Sequence, residues 1–477
     1  MNRVLVGRVA EKQLMLEALT SSDPELVAVV GRRRVGKTFL IKQVYQDRIV
    51  FEAIGIQHAN KKEQLQDFAF RINKNFYDGK LTLKPKNWMD AFHLLIMALE
   101  KQPFQEKKVI FLDELPWFDT QKSGFVAAFS MFWNSWCANE NVVVVICGSA
   151  ASWIIEQVVN DRGGLHNRIT RRVELKPFTL YETELYLQSL GVHLERYQIL
   201  LLYMVFGGIP HYLKEINPGK SAVENIGKLC FTPGTMSTEF DNLYPALFDN
   251  AHQHIKIIRA LAQKRKGMSR KMLLDNTGLS DGGATTKFLQ ELTFSGFITA
   301  YYPFGKLKRD VFYRLTDEYS LFYLTFMEKQ NWYGTEWWQT LSQTPAFKAW
   351  CGYAFESICL KHVPQIKKAL GISGIYAEAT AYEWRGSKTE PGFQIDLVLD
   401  RKDQTINLFE FKFYQAATSL DAADAALLRE RRELFREKIK TNKHLFISLL
   451  TTFGVKANEH SIGVVDHNLD MGVLFSA

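Results

Sequence analysis

Two stretches of this sequence bring together residue types that do chemistry. The first, "GRRRVGKT" at residues 31–38, spells GxxxxGK[ST] after a β-branched apolar run and before an amphipathic segment. In that strand–loop–helix setting, successive backbone N–H groups and the positive helix end cradle phosphates. Lys37 then reaches the β/γ-phosphates and Thr38 offers its hydroxyl to Mg²⁺. The expected nucleotide-contacting residues are Gly31, Arg32, Arg33, Arg34, Val35, Gly36, Lys37, Thr38 and Phe39. The second stretch, "GFQIDLVLDRKDQTINLFEFKFY" at residues 392–414, holds Asp396, Glu410 and Lys412. In "INLFEFKF" the alternation puts Glu410 and Lys412 on one face. If the two runs pair as strands, Asp396 stands near Glu410, and hard carboxylate oxygens there suit a divalent ion. Lys412 would then orient water or stabilise charge on phosphorus. The plainer alternative is a hairpin whose wet face carries acid–base cross-strand pairs.

The nucleotide site needs further elements to complete it. In "KKVIFLDELPWF" a four-residue apolar run reads as a buried parallel strand closing on Asp113 and Glu114. Asp113 would hold the Mg²⁺ shell and Glu114 would polarise water. A third run, "NVVVVICGSA", ends at Ser149, placed either to sense the γ-phosphate or to cap the strand end. Beyond it Arg162, Arg168, Arg171 and Arg172 crowd together. They form either a solvated basic loop or a source of a guanidinium for the transition-state charge.

The chain of 477 residues exceeds one core, and 47% hydrophobic with 23% charged residues is ordinary for a globular protein. The net charge of +8 is uneven: residues 251–330 hold 13 Lys/Arg against 7 Asp/Glu, whereas residues 331–477 hold 17 of each. Such a surplus points to a polyanion surface in the middle of the chain. Five scattered cysteines without CxxC spacing indicate neither zinc nor a disulfide framework. With no apolar signal core at the start and no apolar run of membrane-spanning length, a reducing cytoplasm is the expected location.

The basic middle reads as three short helices followed by two alternating strands around "PFGKLKRD". Helix-turn-helix plus basic hairpin is similar to a winged helix. Its recognition helix would turn Thr285, Thr286 and Lys287 toward a groove, with Lys306, Lys308 and Arg309 on the wing at phosphates. The alternative is a winged helix used for packing. From about residue 331 the order helix, strands, helix, strand suggests a small α/β unit, and Glu356 lies on its first helix.

Three motifs carry a family resemblance over roughly residues 1–245: "VGRVAEKQLMLEAL", "FLDE" and "FGGIPHYL". They resemble the AAA+-related STAND ATPases, and more narrowly the prokaryotic group known as archaeal ATPases. That resemblance implies that Gly7 and Arg8 lie by the adenine, and that Gly207, Gly208 and Pro210 open a lid contacting nucleotide. The D-x13-E-x-K spacing resembles the PD-(D/E)xK nuclease superfamily, which often carries an acid such as Glu356 on the preceding helix. Gln394 and Ile395 stand where that superfamily often has a proline. The whole layout is similar to a family of prokaryotic ATPases with a nuclease-like C-terminal domain.

The expected fold is multidomain α/β. It comprises a P-loop NTPase core with a parallel sheet (1–180), a helical lid (181–250), a winged helix (251–330) and a restriction-endonuclease-like α/β domain (331–477). The expected activity is ATP hydrolysis with Mg²⁺ at Thr38 and Asp113. DNA binding and cleavage would use Mg²⁺ or Mn²⁺ at Glu356, Asp396 and Glu410. The expected partners are DNA and further copies of the chain, with no membrane and an unidentified protein partner left open. The rival expectations are a nucleotide-switched DNA-binding regulator with an inactive nuclease fold, and an ATPase acting on a protein.

Overall fold

In a computed structural model, residues 5–101, 106–148, 153, 165, 167–234, 236–305, 310–329, 334–387 and 390–477 are described. The chain forms two compact units. One comprises Met1–Pro177, Leu247–Asp249 and Thr286–Gly296; the other comprises Phe178–Ala246, Asn250–Thr285 and Phe297–Ala477. Past residue 177, where the sequence marked three parts, most of the chain is a single compact unit.

The first unit is built on five parallel strands: β1 (Glu25–Val30), β2 (Ile49–Ile54), β3 (Lys108–Asp113), β4 (Val142–Gly148) and β5 (Arg171–Glu174). Their order is β2-β3-β4-β1-β5. Every residue of β1 and β4 is buried, as a parallel sheet covered on both faces requires. Phe68, Trp88, Phe92 and Phe125 fill the layer between sheet and helices, with Trp88 and Phe125 ring centroids 5.0 Å apart in an edge-on pair. Strand β4 lies between β1 and β3, and the register pairs Val30 with Gly148 and Leu112 with Ile146. The carboxyl ends of all three strands therefore meet at one edge, where the Gly31 loop and Asp113 emerge.

The second unit opens with helices, among them Leu180–Ser189, Arg196–Phe206 and Ala251–Gln263. Next come β6 (Met268–Ser269), a helix Arg270–Thr277, a helix Gly283–Phe294 assigned to the first unit from Thr286 on, β7 (Ile298–Tyr301) and β8 (Phe312–Leu315). The three strands form an antiparallel sheet in the order β6-β8-β7.

A mixed sheet follows the helix Pro345–Lys361. Its strands β9 (Ala377–Trp384), β10 (Phe393–Arg401) and β11 (Thr405–Lys412) are antiparallel. After β12 (Thr418–Ser419), the helix Ala422–Ile439 crosses over to β13 (His444–Thr451), parallel to β11. Strands β14 (Val455–Lys456) and β12 pair separately, and β15 (His467–Asp470) completes the order β15-β13-β11-β10-β9.

The stretch that leaves β7 is packed within the second unit, while Lys306, Lys308 and Arg309, the residues expected at phosphates, lie outside the described residues. Phe304 N–H donates to Ala381 O on β9 (3.0 Å), and Tyr302 O accepts from Thr380 Oγ1 (2.5 Å). The Phe304 ring lies 5.6 Å from that of Phe435. An aromatic residue at this turn gains more from an apolar core than from a wet phosphate.

His362 joins two helices of this unit. It is buried, its Nδ1 faces Ile358 O at 2.8 Å, and its Nε2 accepts the N–H of Leu180 (3.1 Å). Leu180 opens its helix, so the ring satisfies a donor that has no partner within that helix. Burial pulls the imidazole pKa down to about 4. Between pH 6.5 and 4 the unfolded chain accepts a proton that the folded chain refuses. This contribution to stability is whole above pH 6.5 and falls with acidification, by about 2 kcal/mol between pH 7 and 5. Denaturant titrations at those two pH values should show that loss in the wild type, and His362→Gln should flatten it. An equal pH dependence in the variant would assign the titration to another group.

Candidate functional site

The loop after β1 has the backbone that its glycines permit. Gly31 has φ 154°, and a Cβ there would lie 2.2 Å from Leu175 O at the end of β5. Gly36 is left-handed (φ 94°) and precedes the helix Lys37–Tyr45, which has no side-chain cap on its first N–H groups. Open space lies where a Gly36 Cβ would project. Lys37 is buried and donates from Nζ to Gly31 O (2.9 Å) and Arg32 O (3.0 Å). Arg32 is buried too, while Arg33, Arg34 and Thr38 are partly buried, Val35 is buried and Phe39 is exposed.

Thr38 Oγ1 donates to Asp113 Oδ2 at 2.8 Å, linking the loop helix to the end of β3. The other oxygen, Asp113 Oδ1, accepts the N–H of Glu114 (2.9 Å). A hydroxyl and a carboxylate side by side are hard oxygen donors of the kind Mg²⁺ takes, and the uncapped N–H groups suit phosphate oxygens. This donor set fits a Mg²⁺-nucleotide. Burial, reinforced by the charge of Asp113, pushes the thiol of Cys147 on β4 well up, which keeps it protonated.

Glu114 is left-handed (φ 47°), an uncommon conformation for a residue with a Cβ. Two residues that the motifs do not contain hold that turn. Gly55 lets β2 approach so closely that a Cβ would lie 2.5 Å from Glu114 O. Gln64 donates to Ile56 O (2.7 Å) and to Trp117 O (2.8 Å) just beyond the turn. Gly7 and Arg8 are consecutive left-handed residues before the helix Val9–Thr20, with Arg8 buried and 3.6 Å from Glu11.

Arg171 is an internal tie rather than a free guanidinium, pairing with Glu17 (3.1 Å) and Glu25 (3.3 Å). Arg168 and Arg172 are exposed. Ser149, Arg162, Lys306, Lys308 and Arg309 lie outside the described residues. The two glycines before Pro210 answer to local packing. A Cβ would lie 2.7 Å from Glu318 Oε2 at Gly207 and 1.9 Å from Phe178 O at Gly208, while Pro210 starts the helix Pro210–Leu213. Thr285, expected to face a groove, is buried and donates to Ser280 O (2.7 Å), closing the turn into its helix. Thr286 and Lys287 are exposed, with Lys287 4.0 Å from Glu291.

In the second unit Asp396, Glu410, Lys412 and Glu356 line one cleft of about 720 Å³. Strand pairing carries Asp396 and Glu410 there, since Asp396 lies one step beyond the Leu397–Phe409 pair. A bulge between Ile395 and Val398 interrupts pairing with β9, and there Asp396 Oδ2 accepts the N–H of Phe411 (2.8 Å). Glu410 accepts Lys412 Nζ at Oε1 and Arg431 Nη1 at Oε2, both at 2.7 Å. The same cleft is lined by Arg314 from β8 and by Arg265 and Lys266.

Burial and then the charges of Glu410 and Glu356 push the Asp396 carboxyl up to about 8. Burial also raises Glu356, against the pull of Arg314 and Lys266. Burial alone would lower Lys412, but the charge and hydrogen bond of Glu410 hold it above its ordinary value. Burial thus disfavours charge on Asp396 and Glu356 even with cations close by, and their carboxylate oxygens are hard donors of the kind a divalent cation takes. Among the described residues, however, no three His, Cys, Asp or Glu side chains are already gathered to hold a metal. The sequence reading missed Arg431 and Arg314, and gave no site role to Gln394, whose Nε2 lies 3.4 Å from Asp396 Oδ1.

Residues 5–216 match the family described as an ATPase domain predominantly from Archaea. Over 214 residues, 45% of this chain, the sequence is 22% identical to an uncharacterized protein of Methanocaldococcus jannaschii. That match covers 44% of the relative, so the chain spans less than half its length. Among solved structures, the Walker-type ATPase of Pyrococcus abyssi is similar with a TM-score of 0.48 and 18% identity, over 68% of this chain and 96% of that one. The ORC2 protein of Aeropyrum pernix is similar with a TM-score of 0.40 and 16% identity, over 68% and 94%. Loop, acidic strand end and family match coincide on one stretch, and the chain carries a P-loop ATPase domain similar to those found predominantly in Archaea.

Proposed function

We propose that this protein binds and hydrolyses ATP in its first unit and cleaves DNA in its second, with the nucleotide state controlling cleavage. The hydrogen bond between Thr38 and Asp113 supports the first half most directly, because it brings a hydroxyl and a carboxylate together beside an uncapped helix start. In this reading the loop N–H groups and Lys37 bind the phosphates, Thr38 and Asp113 hold Mg²⁺, and Glu114 orients water. Bound Mg²⁺ neutralises phosphate charge. Gly7 and Arg8 would lie by the adenine, as the family resemblance implies.

The second half rests on the convergence of Asp396, Glu410, Lys412 and Glu356 on one cleft. In this reading Asp396, Glu410 and Glu356 would hold Mg²⁺ or Mn²⁺, which would supply water activation and charge neutralisation at the phosphate. Lys412, its ammonium held charged by Glu410, faces the negative charge that builds on phosphorus. DNA follows from the basic surplus of residues 251–330 and from the helix and strand order there, which is similar to a winged helix with Thr286 and Lys287 exposed. A second reading, a nucleotide-switched DNA-binding scaffold with an inactive cleft, is favoured by the pairing of both Glu410 oxygens with cations.

A phosphate-release assay should find ATP hydrolysis by Lys37→Ala reduced roughly 100-fold or more, the scale of losing one preorganised transition-state donor. Hydrolysis at the wild-type rate would remove Lys37 from that role. Nicking of supercoiled plasmid in Mn²⁺ should vanish in Asp396→Ala and change with ATP in the wild type but not in Lys37→Ala. Nicking that survives Asp396→Ala would locate the cleaving residues elsewhere. DNA bound but uncut by the wild type would favour the scaffold. DNA affinity should also fall steeply between 50 and 200 mM salt, by about 10³-fold for six phosphate contacts. A flat salt dependence would argue against a phosphate-tracking surface.

A further inference from the structure

The two cations on Glu410 differ in origin. Lys412 is two residues along the same strand and travels with Glu410. Arg431 comes from the helix Ala422–Ile439 and reaches Glu410 Oε2 from outside the strand. Its side chain is only about 25% exposed, and its Nε is buried without a hydrogen-bond partner. A guanidinium presents its donors as a planar fork, matched by two oxygens of a carboxylate or phosphate. Here one arm is used and an adjacent donor is not. Leaving that donor buried and unpaired is costly unless another acceptor visits. An oxygen accepting a 2.7 Å hydrogen bond from a guanidinium is also less available to a metal ion.

We propose that Arg431 is shared between Glu410 and substrate. It closes Glu410 when no metal is bound, and passes to a non-bridging oxygen of a nucleic-acid phosphodiester when Glu410 turns to a divalent ion. The inference rests on the metal-dependent reading of the cleft and adds to it a residue that touches substrate. Removing Arg431 then has two effects of opposite sign. Metal binding tightens because a competitor for Glu410 is gone, and phosphodiester binding weakens because a donor is gone. A merely structural role would weaken both.

The test uses the full chain without nucleotide. Mn²⁺ is titrated calorimetrically into the wild type, Arg431→Met, Arg431→Lys and Glu410→Gln. A fluorescent DNA oligonucleotide is titrated into the same proteins in Ca²⁺. Arg431→Met should bind Mn²⁺ about tenfold tighter and the oligonucleotide about tenfold weaker than the wild type, one tenfold step being the scale of a single charge-assisted hydrogen bond. Arg431→Lys keeps the charge but loses the fork, and should shift both in the same directions by less. It carries the test if Arg431→Met fails to fold. Arginine variants that bind Mn²⁺ no tighter than the wild type, or the oligonucleotide no weaker, overturn the inference while leaving the metal site standing. Wild-type protein that binds no Mn²⁺, or binds it equally well as Glu410→Gln, overturns the reading of the cleft and the inference with it.

Discussion

A carboxylate taken out of water must find donors or cations, because leaving it bare costs more than most folds can spare. Both sites are organised around that constraint, and they meet it in different ways. Asp113 is satisfied by two neutral donors, the Thr38 hydroxyl and the Glu114 N–H. In the cleft, Asp396 has a backbone N–H, Glu410 has two cations, and Glu356 feels Arg314 and Lys266. Asp396 is nonetheless pushed up to about 8, first by burial and then by its acidic neighbours. The P-loop carboxylate is held by neutral donors, whereas the cleft sets its buried carboxylates among cations.

The same constraint fixes the backbone around each site. Asp113 and the Gly31 loop reach one edge because β4 sets β1 and β3 in register. At the left-handed Glu114, Gly55 admits close approach, and Gln64 ties Ile56 O to Trp117 O just beyond the turn. On β10, the bulge at Asp396 turns a carboxylate that simple alternation would leave on a strand face into one that bonds across to Phe411.

What could be read from the sequence was whatever local spacing encodes. Strands β1, β3 and β4 are unbroken apolar runs because both faces of a parallel sheet are covered, and the GxxxxGK[ST] spacing encodes a loop backbone directly. The paired strands carrying Asp396 and Glu410 were legible for the same reason. Short β5 was not, since "RRVE" at a sheet edge buries a single side chain. Gln64 and Arg431 gave no signal because each acts on a turn or strand reached only through the tertiary fold. Their partners Trp117 and Glu410 lie 53 and 21 residues away. Thr285 misled because the first turn of a helix turns one side chain inward, and which one depends on the packing around it.

The basic surplus of residues 251–330 shows how composition and placement part company. Counted along the chain, it argues for an outward polyanion surface. In the fold, Arg259 pairs with Glu328 (2.6 Å) and Arg270 with Asp281 (2.8 Å), while Arg265 stacks 4.1 Å from the ring centre of Tyr353. Arg265, Lys266 and Arg314 line the same cleft as the carboxylates, and the stretch beyond β7 is hydrogen-bonded to β9. Three of the segment's 13 cations thus line the second unit's own acidic cleft. Charge set across a narrow cleft acts at short range and is less screened by salt than charge spread on an open surface. The cleft thus combines cations from residues 251–330 with Lys412 and Arg431 beside its carboxylates.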